Sequence, residues 1–122
     1  MTGSWEERAA AGEALAPGAG VPDTDARLIE LLLDPENTAV TFRTAVALLD
    51  QRTTAAFRLL VLASADADDN QRDWIGDAVD GFVGRMQGEG EAFIRRALHV
   101  LEKDNDGCAH AAAEWRAWFH WS

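Results

Sequence analysis

Near its C-terminus the chain reads "LEKDNDGCAH", where Glu102, Asp104 and Asp106 alternate ahead of Gly107 as oxygen ligands do in a calcium loop. Such a loop wraps about seven oxygens around one ion, with donors at positions 1, 3 and 5, glycine at 6 and a bidentate carboxylate at 12. Counted from Glu102, position 12 is Ala113, and Glu114 comes one residue late. A second stretch, "DADDNQRDWIGD", offers Asp66, Asp68, Asn70 and Asp77, but Gln71 stands where glycine is needed and Asp73 where an apolar residue belongs. These acids read better as helix caps and turn formers, so neither a metal nor a cofactor is expected. A degenerate calcium-binding protein is the outlying alternative.

Catalytic side chains are equally sparse. Ser4, Ser64 and Ser122 sit in no nucleophile motif, and "GEGE" is only a fragment of a phosphate-binding glycine pattern. Cys108 and His110 stand two apart, a spacing at which helical side chains point away from each other. Two such residues are also too few ligands for zinc. The expectation is a protein that is not an enzyme.

The elements that carry these residues are helical. Apolar residues recur at helical spacing in segments of about 24–33, 38–51 and 54–65, then in "NQRDWIGDAVDGFVGRM", "GEAFIRRALHVLEK" and "CAHAAAEWRAWFHW". No segment alternates as a strand would, which predicts an all-α fold of six helices over residues 24–122. "AAFRLLVLA" is apolar almost all round, as a helix covered on both sides should be. Residues 1–23 read as a flexible lead-in, because Pro17, Gly18, Gly20 and Pro22 cluster there. One short helix fits ahead of them, since Ser4 followed by Glu7 makes a capping-box pattern and Trp5 could dock it.

Composition narrows the partners. The net charge is −10, from 21 Asp and Glu against 11 Lys and Arg, so a nucleic-acid backbone would be repelled. The single cysteine, the absence of a signal-peptide pattern and the absence of an apolar run of about 18 residues predict a cytoplasmic protein with no membrane partner. A single Lys among many Arg and Ala residues suggests a bacterial, GC-rich source.

The inter-helix breaks "DPENT", "DADDN" and "DNDG" recur at about 35 residues, the period of a helical-hairpin repeat. The first hairpin, "LLLDPENTAVTFRTAVALL", places Leu32, Leu33, Asp34, Pro35, Val40, Ala45, Ala47 and Leu48 in the order of a HEAT repeat, which it resembles. "VLEKDNDGCAHAAAEW" is similar to a second copy, with Cys108 in the β-branched place. Thr41 stands where the family has Arg, and the stretch from Asp34 to Val40 is one residue longer than its pattern. The resemblance implies a right-handed α-α superhelix of about three hairpins, used as a scaffold for partner binding.

Two surfaces stand out as candidates. Asp69, Asp73, Asp77 and Asp80 share one face of a helix with glycines beside it, although like charges at that spacing weaken a helix by a few tenths of a kcal/mol per pair. At the C-terminus, Trp118 and Trp121 lie where no further repeat would cover them, and exposed tryptophans favour interfaces. The expected function is therefore a small acidic interaction or regulatory module that binds a protein partner of basic character, as a monomer or weak homodimer. An inhibitor or immunity-type protein that neutralises a basic enzyme surface is the alternative.

Overall fold

The computed structural model describes residues 4–103 and 108–119, with side chains as far as residue 117. Among them run seven α-helices: α1 Trp5–Leu15, α2 Pro22–Leu32, α3 Thr38–Gln51, α4 Thr54–Asp66, α5 Asp69–Met86, α6 Gly88–Glu102 and α7 Cys108–Phe119, with a 3-10 turn at Ala16–Gly18. The fold is all-α, with one helix more than the six expected. The addition is α1, the short helix that the Ser4–Glu7 capping pattern allowed for ahead of residue 24; its alanines spread around the helix and leave no apolar stripe.

Local chemistry sets the helix starts. Ser4 Oγ accepts from the Glu7 N–H at 3.3 Å, the anticipated cap of α1. Asn37 and Thr53 accept from the N–H groups of Ala39 and Ala56, opening α3 and α4. Asp68 and Gln71 form a reciprocal capping box at α5, with distances of 2.7 and 2.9 Å. Pro22, grouped above with the helix breakers, occupies the first turn of α2 instead. Its missing N–H costs nothing there, because that N–H would have no partner in the helix.

The helices pack around α4, which contacts α2, α3, α5, α6 and α7. Phe57 in its first turn meets Trp115 of α7 and Phe93 of α6 edge to face, with ring centroids 5.2 and 6.1 Å apart. Phe93 is partly buried, whereas the fully buried Phe57 contributes roughly 1.5–3 kcal/mol relative to exposure. α3 packs against both α1 and α5, and α7 packs against α6 and reaches back to α4. Where α5 passes into α6, Gly90 admits the first turn of α6 against α5, since a Cβ there would lie 3.2 Å from the Val83 backbone.

α1 docks differently. Ala9 and Gly12 are its buried residues, followed by Ala16 of the 3-10 turn, while Trp5 remains 38% exposed and does not anchor it. Gly12 lies so close to Thr44 of α3 that an added Cβ would overlap the threonine hydroxyl.

Candidate interaction surface

α5 presents all four acids of the anticipated stripe to solvent: Asp69, Asp73, Asp77 and Asp80 are exposed, while Ile75, Ala78, Val79 and Phe82 on its opposite side are buried. The nearby arginines leave three of these four acids unpaired. Arg72 donates from Nε to the carbonyl of Ser64 and comes no nearer to Asp69 than 3.8 Å. Arg85 turns to Asp50 of α3, at 3.1 Å. Among the described residues, Asp73, Asp77 and Asp80 have no ion pair and no hydrogen bond from a side chain. Their charge faces water.

Trp74 lies beside this stripe. Its helical period groups it with the buried apolar residues of α5, but it sits at the edge of that face and is 37% exposed. Phe42 of α3 meets it edge to face at 5.6 Å. Phe42 also lines a groove of about 210 Å³ with Val46, Ala47, Glu13, Arg43 and Asp50. Arg43 in that groove is held by Glu13 at 2.7 Å, an ion pair from α1 to α3.

The C-terminal candidates divide. The apolar face of α7 is packed as its sequence indicates, with Cys108, Ala112 and Trp115 buried. Trp115 donates from Nε1 to Ser64 Oγ at 2.5 Å, and Ser64 donates to the Val61 carbonyl at 2.7 Å. Trp118 belongs to α7, but its side chain and the whole of Trp121 lie outside the described residues, as do residues 104–107, where the calcium-like spacing was read. In the other acidic stretch, residues 69–77 are helical, so the geometry of a wrapped calcium loop is not formed there. Among the described residues, no group of three or more His, Cys, Asp or Glu side chains is placed to hold a metal ion.

One polar centre escapes the sequence pattern entirely. Arg8 of α1 donates to both carboxylate oxygens of Asp34, at 2.8 and 3.3 Å, in the turn between α2 and α3. The backbone N–H groups of Glu36 and Asn37 donate to the same carboxylate, and Gln71 of α5 donates to the Asp34 carbonyl. Burial works against the charged carboxylate, but the hydrogen bonds from Arg8, Asn37 and Glu36 and the charge of Arg8 outweigh it and hold Asp34 below its ordinary value. Reciprocally, the Asp34 hydrogen bond raises Arg8 further above its already high value.

No described helix is long and apolar enough to cross a membrane. Comparison of the chain with family models, with curated proteins and with solved structures finds no match.

Proposed function

We propose that this chain is a non-catalytic protein-interaction module whose acidic α5 face binds a basic segment of a partner protein. The observation that carries the reading is the unneutralised row of Asp73, Asp77 and Asp80, beside arginines already committed to Ser64 and Asp50. Left in water, like charges along one helix face cost stability, and an incoming cation offsets that cost while gaining on-rate from the long-range field. A non-catalytic role is supported by the placement of the nucleophile candidate: Cys108 is buried in the core, whereas His110 pairs with Glu114 at 2.8 Å on the solvent side of α7.

The scaffold reading is a HEAT-like array of hairpins α2–α3, α4–α5 and α6–α7. Support comes from the pairing within each hairpin, from α3 against α5, and from α2 against α4 and α4 against α6. In such an array α3 and α5 form one continuous outer face, the natural place for a docked segment.

The test is binding of an array of basic and neutral peptides at low and high salt. Basic peptides bind and weaken steeply as salt rises, and Asp73→Asn with Asp77→Asn weakens them on the order of tenfold, as two charge contacts of up to about 1 kcal/mol each imply. Binding indifferent to salt and to both substitutions would overturn the reading.

A further inference from the structure

The acidic face ends in a feature that charge alone does not explain. Trp74 precedes Asp77 by one helical turn, so a partly exposed indole flanks the row of Asp73, Asp77 and Asp80, carboxylates that have no ion-pair partner among the described residues. A half-exposed tryptophan gives up favourable burial, yet this one is held in place by its edge contact with Phe42. Beyond Phe42 the surface continues as the apolar floor of the groove, Val46 and Ala47, rimmed by Glu13 and Asp50. The cation that lines the groove, Arg43, is fixed on Glu13 at 2.7 Å, and Arg85 of α5 pairs with Asp50 at 3.1 Å.

Resting on the acidic-face reading above, we infer that the Phe42–Trp74 pair and the adjoining groove form the seat for an arginine side chain of the partner's basic segment. Guanidinium is the cation this surface fits. It is planar and weakly hydrated, and it stacks on aromatic rings while its N–H groups reach an unpaired carboxylate of the α5 row, such as Asp77 one turn from Trp74. Lysine carries the same charge on a strongly hydrated ammonium, which loses more on leaving water. A purely apolar segment would bury the aspartates without compensation. A second copy of this chain, itself at −10, would bring like charge to the same face.

The experiment uses the full chain and two labelled peptides, one of alternating Arg and Ala and the other its Lys counterpart, titrated over a range of salt. The Arg peptide binds more tightly than the Lys peptide. Trp74→Leu weakens the Arg peptide by about two- to fivefold, with the salt slope unchanged, while Trp74→Phe loses less. Asp73→Asn with Asp77→Asn weakens both peptides and flattens the salt slope. Phe42→Leu provides a second variant of the aromatic seat, and helical circular dichroism of each protein verifies the fold. If Trp74→Leu and Phe42→Leu bind both peptides as the parent does while the aspartate variant still weakens them, the arginine seat is overturned and the acidic-face reading stands. Should neither peptide bind the parent protein at any salt, both fall together.

Discussion

Asp34 gathers contacts from four separate residues, and its charge has a consequence that can be measured. Its carboxyl titrates below the ordinary value of 3.8, so the stabilisation it supplies is complete above that pH and is lost as pH falls through the lower folded value. Replacement by Asn leaves the Arg8 guanidinium beside a neutral amide in a partly dehydrated setting. We predict that urea unfolding shows Asp34→Asn less stable than the parent at pH 7, with the gap narrowing below about pH 3.8. A gap that stays constant down to the acid transition would remove the ionic role from Asp34. The residue's turn position was readable from the Asp-Pro sequence, but its partner was not. Arg8 lies 26 positions away, and nothing local distinguishes it from the other arginines.

Between elements, the passage from α5 to α6 is abrupt: Gln87 ends one helix and begins the next, with φ 53 and ψ −137. A side chain strains that conformation, whereas glycine adopts it freely. Gln87→Gly is expected to raise stability by about 1 kcal/mol, visible as a higher melting temperature, because the relieved strain exceeds the added entropy of the unfolded chain. Lower stability would show that the backbone is relaxed there. Helices α2 to α7 were legible because apolar period and capping residues agree, as at Asn37, Thr53 and Asp68. α1 was announced only by its Ser4–Glu7 cap, because small residues bury against α3 without producing a stripe. Trp74 misled for a related reason. Helical period locates the centre of a buried face well, but the width of that face depends on neighbours, and here α3 brings Phe42 only to the indole's edge. The acidic stripe was placed correctly on one face; that its arginines turn elsewhere depended on long-range partners, Ser64 and Asp50.

At the scale of the whole molecule, the large apolar cluster runs through α2 to α7, and α1 joins a smaller one of Ala9, Leu31 and Val40. The two parts therefore differ in what holds them. α4 buries Phe57, Leu59, Leu60 and Val61, whereas α1 brings alanines, a glycine and a partly buried Leu15 to its interface, joined by the Arg8–Asp34 and Arg43–Glu13 pairs. Native-state hydrogen exchange is expected to show α1 amides opening well below the global unfolding free energy, with α4 amides opening only near it. Equal protection of both helices would contradict this. The Gly12–Thr44 approach then acquires a kinetic meaning. Attachment through close backbone spacing forfeits roughly a quarter to a half of its dispersion gain within the first ångström of separation, whereas burial of large side chains yields over a longer path. α1 should thus come away as a unit rather than fray residue by residue, giving the chain one discrete opening step ahead of its cooperative unfolding.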